Sequence, residues 1–310
     1  MPRSTILFFA LLAMPFGVGA SAREPRRLTF DGQVKTTPAF VEGGRAVVYA
    51  AQTRFNQLSL LRLPLDVAAA PRAAEKQPVP ELLHPSAVTS EFAAAYSADG
   101  RTLAYVRNNG NLHVVLLIED RDAKQTVEVD PGGGFAGIQY VTVSPDGSRV
   151  VYAFPERGGG GQQLVSIGAD GQRKQALTSG DDFDSCPRFS PDGRQLAFAS
   201  TRGGNFDIFV MTAEGRGAMS LTDHPGLDLH PAWSPDGRRI AYTSLRSGNY
   251  DIYITSVRQV AEPVPSDAVR FTDHPERDDY AVWHPDGRHV LTVSERDGRQ
   301  DLYLWEVHSP

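Results

Sequence analysis

The sequence predicts an all-β fold, a six-bladed β-propeller, on three observations. Asp-Gly turns, most of them preceded by Ser-Pro, recur along the chain, and a Gly-Gly pair replaces the first of them. The second residues of these turns lie 44 to 56 residues apart, at Gly44, Gly100, Gly147, Gly193, Gly237 and Gly287. Such a period is typical of propeller blades with four strands each. The 29 Gly and 22 Pro agree with many short elements joined by turns, and the two ends of the chain complete one unit between them.

A single unit, covering residues 231–272, divides into four strands. Pro235, Asp236 and Gly237 form its first turn, because proline fixes φ and glycine accepts a positive φ. Short β-rich runs bounded by Gly, Pro, Asn and Asp predict the strands as Pro231–Ser234, Arg239–Ser244, Asp251–Ser256 and Ala268–Thr272. One large apolar residue per unit is expected to pack between neighbouring blades, namely Phe40, Tyr96, Val143, Phe189, Trp233 and Trp283.

The register of the chain ends predicts how the ring closes. The sixth unit stops after its third strand, Asp301–Val307, whereas Arg26–Phe30, with sequence RRLTF, matches fourth strands such as Met219–Thr222. We therefore expect the N-terminal segment to complete the last blade, an arrangement that removes exposed sheet edges. Residues 23–310 then form one propeller domain, which we expect to be a monomer.

Residues 1–22 have the three parts of a secretory signal peptide. Arg3 supplies the cation, residues 6–18 form an apolar run, and the residues at 20–22 are small. The run is shorter than the roughly 20 residues that span a bilayer. We therefore expect cleavage after Ala22 and export to a bacterial periplasm, with no transmembrane segment in the mature chain.

Composition argues against several classes of function. The formal net charge is −6 and no block of Lys or Arg occurs, which excludes nucleic acid as an expected partner. Cys186 is the single cysteine, so no intramolecular disulfide is expected, and no Cys-x-x-Cys or Cys/His spacing indicates a zinc site. A Gly-x-Ser-x-Gly nucleophile motif is also missing from the sequence. The sequence predicts no cofactor and favours a non-enzymatic role.

The repeat itself resembles that of a known family. The segment LTDHPGLDLHPAWSPDGRRIAYTSLRSGNYDIYI, residues 221–254, is similar to the Asp-Gly propeller repeat of TolB-like proteins. This resemblance implies the six-bladed fold and, for TolB itself, a role in the Tol-Pal system of the bacterial envelope with a Pal-like partner. TolB carries an α/β domain before its propeller, whereas the repeats here start a few residues after the predicted leader. Sugar-acid lyases and the non-catalytic half of prolyl-oligopeptidase-type enzymes have related propellers.

Acidic residues dominate one position of the repeat, three residues before each predicted inner strand. The six residues at this position are Lys35, Glu91, Ile138, Asp184, Asp228 and Asp278. Inner strands surround the central channel, so the carboxylates are expected to ring its mouth, where they would attract a cationic ligand or Ca²⁺. The alternative is structural, because Arg202, Arg246 and Arg296 on the neighbouring hairpins recur with the acids and would pair with them. Three further acids that recur near the third strands, Asp207, Asp251 and Asp301, are expected to stabilise turns.

Four histidines recur or lie near the predicted channel. His84, His224 and His274 each precede a proline in a connection between blades, and we interpret them as turn residues. Three imidazoles at equivalent positions could instead be metal ligands, but blades at different angles around the axis would hold such outer-loop residues far apart. His230 lies closer to the axis, at the start of an inner strand, and is the histidine expected to contact a ligand.

Two functions of different classes remain open. The favoured one is a non-enzymatic scaffold that binds a protein or peptide in the envelope at the channel mouth and connecting loops. The alternative is a lyase or hydrolase of a charged oligosaccharide, with His230 and the channel carboxylates as acid, base or metal ligands. An anionic sugar would need basic residues in the channel, and the predicted ring is mostly acidic, which weighs against the alternative.

Overall fold

The structure, a computed structural model, describes residues 24–67, 78–110, 113–131, 137–155, 160–257 and 268–307. These residues form six antiparallel sheets of four strands, and the innermost strands contact one another in sequence order until the last meets the first. The fold is therefore the predicted all-β, six-bladed propeller. Within the described ranges the only helical element is the 3₁₀ turn Glu42–Gly44, and none is long or apolar enough to cross a membrane. The predicted leader lies outside the described residues.

Each blade is numbered from the channel outward, and the first strand of the chain belongs to the last blade. The N-terminal strand is β1, Arg26–Arg27. Blade one contains β2 Lys35–Val41, β3 Ala46–Arg54, β4 Gln57–Pro64 and β5 Glu81–Leu82. Blade two contains β6 Ser90–Tyr96, β7 Thr102–Asn108, β8 Val114–Asp120 and β9 Gln125–Val129. Blade three contains β10 Val141–Val143, β11 Arg149–Pro155, β12 Gln162–Gly168 and β13 Gln175–Ala176.

The remaining blades follow the same plan. Blade four contains β14 Asp184–Phe189, β15 Gln195–Ser200, β16 Asp207–Thr212 and β17 Met219–Ser220. Blade five contains β18 Asp228–Trp233, β19 Arg239–Ser244, β20 Asp251–Ser256 and β21 Val269–Arg270. Blade six contains β22 Asp278–Trp283, β23 His289–Arg296, β24 Arg299–Glu306 and, on its outer edge, β1.

In five blades the inner strand begins earlier than the sequence predicts, whereas β10 of blade three begins at Val141 as expected. In blade five the strand was expected from Pro231, whereas β18 begins at Asp228. The reason is a β-bulge: the register between β18 and β19 shifts between Leu229 and Ala232, and His230 has φ of +51°. A bulge accommodates a proline inside a strand, because the ladder hydrogen bond is already interrupted there. The recurring acids consequently lie inside the inner strands.

Ser-x-Asp turns join the first and second strands of four blades. Their serine Oγ donates to the aspartate Oδ1 two residues later over 2.5 to 2.6 Å, in the pairs Ser97–Asp99, Ser144–Asp146, Ser190–Asp192 and Ser234–Asp236. The following glycine has the positive φ that the turn requires, for example +69° at Gly237. The predicted turn chemistry is thus confirmed in these blades.

The N-terminal segment closes the ring as predicted. Arg26 and Arg27 of β1 pair with Leu304 and Tyr303 of β24. Thr29 Oγ1 accepts the backbone N–H of Leu302 over 3.0 Å. The fourth-strand threonines of blades three, four and five make the same bond, at Thr178, Thr222 and Thr272. The N-terminal residues therefore form the fourth strand of blade six, and Thr29 makes the same side-chain hydrogen bond as the fourth-strand threonines of the other blades.

The core lies between the blades. The predicted interblade residues Phe189, Trp233 and Trp283 are buried, and Trp233 Nε1 donates to the carbonyl of Arg188 in the preceding blade over 3.1 Å. A tyrosine or phenylalanine at the centre of the second strand is buried in five blades, at Tyr49, Tyr105, Tyr152, Phe198 and Tyr242. Apolar burial of this kind is the main source of stability for a chain without a disulfide.

Candidate functional site

The bulges of the inner strands place one residue per blade in an unusual backbone conformation. A positive φ occurs at equivalent positions in five blades, at Thr37, Ala93, Cys186, His230 and Tyr280. Non-glycine residues adopt this conformation rarely, and a bulge re-aims the side chain that carries it. Tyr140 of blade three occupies the corresponding position just before β10.

Side chains from non-adjacent blades meet around His230, and this places the group in the central channel. The Tyr140 hydroxyl of blade three lies 3.3 Å from His230 Nε2 of blade five, bypassing blade four. The Tyr280 ring of blade six stacks on the imidazole with ring centres 4.1 Å apart. Asp279 Oδ1 lies 2.7 Å from His230 Nδ1. With Cys186 of blade four, these residues are here termed the channel cluster.

Asp279 is fixed by several donors besides His230. Thr243 Oγ1 donates to Oδ1 over 2.6 Å, and the Tyr280 backbone N–H does so over 2.7 Å. Arg277 Nη2 contacts Oδ2 at 2.5 Å. The side chain of Asp279 is 3% exposed. A buried carboxylate with this many partners stays ionised and orients the imidazole beside it.

The electrostatics of the cluster favour charged forms. Burial alone would lower the pKa of His230, but the charges and hydrogen bonds of Asp279 and Cys186 together outweigh it and raise that pKa to about 10. Burial would raise the pKa of Asp279, yet His230 and Arg277 hold it well below its usual value. Burial would likewise raise the pKa of the Cys186 thiol, and the neighbouring His230 charge lowers it overall. His230 is therefore an imidazolium at neutral pH and a poor general base.

The recurring acids are ion-pair partners in the structure. Asp184, Asp228 and Asp278 are the first residues of their inner strands, Glu91 is the second of its own, and all four are at most 1% exposed. The closest Arg–carboxylate distances are 2.9 Å for Arg202–Asp184, 2.8 Å for Arg246–Asp228, 4.0 Å for Arg296–Asp278 and 2.9 Å for Arg107–Glu91. The arrangement is the structural alternative raised by the sequence. Lys35, at the same position of blade one, is buried and pairs with Asp31 and Asp301.

The blade-connecting histidines separate into two groups. His224 Nδ1 accepts the N–H of Gly226 over 2.9 Å, and His274 Nδ1 accepts that of Glu276 over 3.1 Å, which confirms both as turn residues. His84 differs, because its Nδ1 lies 2.6 Å from Glu91 Oε2. The third-strand acids also have structural partners, such as Thr222 for Asp207 and Arg270 for Asp251.

A pocket of about 210 Å³ lies between blades six and one beside the channel cluster. Charged residues of both signs line it, namely Lys35, Arg277, Asp279 and Glu295, together with Tyr280 and several neutral residues. It opens on the connection face, defined here as the face with the blade-to-blade connections and the hairpins between second and third strands. A small charged or amphipathic group of a ligand fits these dimensions.

Sequence reasoning identified His230 but missed its partners. Tyr140, Cys186 and Tyr280 stand at the same repeat position as His230, two residues after Ile138, Asp184 and Asp278. The repeat alignment therefore showed that these residues are equivalent to His230. It did not show the bulge, which turns the side chain at this repeat position toward the axis.

Repeats, closure and sheet order together define a six-bladed β-propeller closed by its N-terminal strand. Residues 178–263 match the family described as the TolB beta propeller domain. A "Protein TolB homolog" from Chlorobium chlorochromatii (strain CaD3) is 32% identical over 114 residues, which span 35% of this chain and 23% of that protein. The match therefore covers less than a quarter of the relative.

Solved structures are similar at the level of the fold. TolB from Acinetobacter baumannii superposes with a TM-score of 0.62 and 18% identity, covering 87% of this chain and 65% of that one. Oligogalacturonate lyase from Vibrio parahaemolyticus gives a TM-score of 0.56 and 14% identity, covering 91% and 93%. At these identities the likeness concerns the fold alone.

Proposed function

We propose that this protein is an exported scaffold of the cell envelope that binds a protein or peptide partner on its connection face. The predicted leader would direct it to the periplasm with cleavage after Ala22. A Pal-like protein is a candidate partner by analogy with the family, and the propeller would act as a monomer. The proposal rests on the distribution of exposed apolar side chains.

Exposed large apolar residues concentrate on the connection face. Phe55 at the tip of the β3–β4 hairpin is 91% exposed and Val88 before β6 is 83% exposed. Gln57 Nε2 donates to the Ala87 carbonyl over 3.3 Å, so the two segments are neighbours. Further exposed residues of this face are Phe30, Val34 and Phe183. Exposed aromatic and aliphatic residues grouped on one face are typical of protein interaction sites.

Charged groups around the channel mouth would add specificity. The arginines held by Glu91, Asp184, Asp228 and Asp278 belong to strands and hairpins of the connection face, where their side chains are 13% to 29% exposed. In this proposal the acids hold the arginine side chains in place. The partner then contacts these arginines and the pocket lined by Arg277. Charges at the rim of an interface mainly set association rate and partner choice.

The test compares two matched variants of the full chain, exported by its own leader and recovered with Arg23 as N-terminus. F55S/V88S removes apolar residues from the connection face, and M219S/V269S removes apolar residues of the outer strands that are 44% and 64% exposed. Capture of an envelope protein by the wild type and M219S/V269S, with at least about tenfold weaker capture by F55S/V88S, is expected. Equal capture by both variants would contradict the proposal.

The alternative, a lyase of acidic oligosaccharides, draws support from basic groups near the channel, namely Lys35, Arg188 and Arg277. A lyase base must be deprotonated when it abstracts the proton next to the sugar carboxylate. The raised pKa of His230 opposes this role. We therefore expect no unsaturated product from oligogalacturonate incubated with the purified protein, and its formation would favour the alternative.

A further inference from the structure

Blade six departs from the repeat at the turn between its first two strands. In the four Ser-x-Asp turns a serine precedes the aspartate by two residues, whereas here His284 takes that place beside Asp286. The first residue of the second strand region also changes, from Thr102, Arg149, Gln195 and Arg239 in the other blades to His289. Two histidines thus replace unrelated residues on either side of one aspartate. These changes occur together in a single blade.

The three side chains converge. His284 Nδ1 lies 3.0 Å from Asp286 Oδ1, and His289 Nδ1 lies 2.8 Å from Asp286 Oδ2. One donor atom from each residue can be chosen so that all lie within 4.8 Å of one another. Zinc bonds to His and Asp measure roughly 2.0–2.2 Å, which puts donors of a tetrahedral site about 3.3 Å apart. Only small side-chain movements separate this arrangement from coordination distances.

Neighbouring residues orient the His284 ring. Its Nε2 lies 3.3 Å from the carbonyl of Gly44, the acceptor that a protonated Nε2 requires. The Phe40 ring meets the imidazole edge to face, 4.8 Å away. A Cβ at residue 44 would lie 2.1 Å from Nε2, so the glycine of blade one makes room for this histidine. A carbonyl on one ring nitrogen leaves the lone pair of the other free for a metal, as in many metal sites.

The remaining bonds of Asp286 hold its carboxylate in place. Its Oδ1 accepts the backbone N–H groups of Arg288, over 2.7 Å, and His289, over 3.2 Å. The Asp286 N–H in turn points to His284 Nδ1 over 3.2 Å, a long contact that a metal would displace. His284 is 7% exposed, while the side chains of His289 and Asp286 are 23% and 33% exposed. An ion here would keep an open side toward solvent.

We propose that His284, Asp286 and His289 bind one divalent transition-metal ion of the zinc class at the seam between blades six and one. Two imidazoles and one carboxylate suit Zn²⁺, Co²⁺ or Ni²⁺ and not Ca²⁺ or Mg²⁺, which take oxygen ligands. The site lies on the face opposite the connection face. It is therefore independent of the proposed partner-binding surface.

The experiment titrates metal-free full-length protein with Zn²⁺ by calorimetry and with Co²⁺ by its visible spectrum. The decisive variant is H284S/H289R, which restores the residues of blade five, Ser234 and Arg239, and so preserves a turn that this fold already uses. The matched control is H113N, which breaks an exposed His–Asp pair, His113–Asp130, of 3.0 Å.

We expect the wild type and H113N to bind one equivalent of metal. The affinity of H284S/H289R should be at least about 100-fold lower, because mutation of a residue that only supports a metal ligand already lowers metal affinity about 10–100-fold. Equal affinity of the wild type and H284S/H289R would overturn the proposal, and the three residues would then be a cluster of ion pairs without a metal. If thermal melting shows that H284S/H289R is unfolded, H289Q at the partly exposed position provides the same comparison. Unchanged binding in H289Q would equally refute the site.

Discussion

His230 and Asp279 form a buried ion pair that links blades five and six across the channel. The pKa of His230, about 10, lies above its ordinary value, so its protonation stabilises the folded state. This contribution is complete below about pH 6.5, the usual value for histidine, and is lost as the pH rises through about 10. The lowered pKa of Asp279 acts at the opposite end, and its contribution disappears only in strong acid.

The D279N variant tests this pair. Loss of the carboxylate removes the charge that holds His230 protonated, and we expect the free energy of unfolding to fall by about 3 to 5 kcal/mol at neutral pH. The alkaline loss of stability expected for the wild type should be missing, and the His230 pKa should drop to about 6.5 or lower. Urea unfolding at several pH values and NMR titration of the imidazole measure both effects.

A matched control is D130N, which breaks the exposed pair His113–Asp130. Exposed ion pairs contribute little, so we expect a change below about 1 kcal/mol. Similar losses in D279N and D130N would show that the channel pair has no special energetic role.

At the scale of the element, an arginine of the second–third-strand hairpin hydrogen-bonds to the first residue of the inner strand in blades four and five. In blade five, Arg246 Nη2 lies 2.8 Å from Asp228 Oδ2, and the guanidinium lies over the Tyr253 ring, 4.7 Å from its centre. Burial raises the pKa of Asp228, and Arg246 opposes that shift. The arginine therefore compensates a carboxylate that the fold has removed from water.

Replacement of the arginine by methionine, R246M, should expose this dependence. At pH 7 the variant retains a buried, uncompensated carboxylate, and we expect a loss of about 3 to 5 kcal/mol in the free energy of unfolding. A raised carboxyl pKa costs stability where the carboxyl is ionised, and this cost disappears once the group is protonated, so the loss should shrink near about pH 4, where Asp228 takes up a proton. Urea unfolding at the two pH values provides the measurement.

The double variant D228N/R246M serves as the control, since it removes both charges. Its stability is expected to recover most of the loss at pH 7. If R246M loses the same free energy at both pH values, packing of the arginine stem, and not its charge, explains the effect.

At the scale of the whole molecule, closure joins residues that are more than 270 positions apart. Arg27 Nη2 contacts Asp301 Oδ2 at 2.5 Å, and the Leu28 N–H donates to the Leu302 carbonyl over 2.7 Å. These bonds satisfy the outer edge of β24. An unpaired edge of that kind would be a template for strands of other molecules.

Deletion of residues 26–30 should therefore make the protein, which we expect to be a monomer, form larger species and should lower its melting temperature, measured by light scattering on a sizing column and by circular dichroism. F30S keeps β1 and replaces only a half-exposed side chain, so it should behave as the wild type. A truncated protein that remains monomeric with an unchanged melting temperature would show that closure does not depend on these residues.

Much of the fold was predictable because its signals are local. Turn serines, aspartates and positive-φ glycines fixed the number of blades, and the threonine of RRLTF identified a fourth strand at the wrong end of the chain. In five blades the inner strand was placed three or four residues late, because a bulge is an irregularity of pairing between two strands and cannot be seen in the sequence of one. Spacing rules built on cysteine likewise overlooked the His-x-Asp-x-x-His segment of blade six.

By itself the sequence determined the all-β class, the six repeats, the closing strand and His230 as the histidine near the axis, since each depends on residue type and spacing along the chain. Only the tertiary structure decided that the recurring acids pair with arginines, and that Tyr140, Cys186, His230 and Asp279 come together. The physical reason is that ring closure and bulge geometry set the distances between blades. A residue's type gives its charge, but its position in the chain does not identify its partner, since Asp279 lies 49 positions from His230 and Tyr140 lies 90 positions from it.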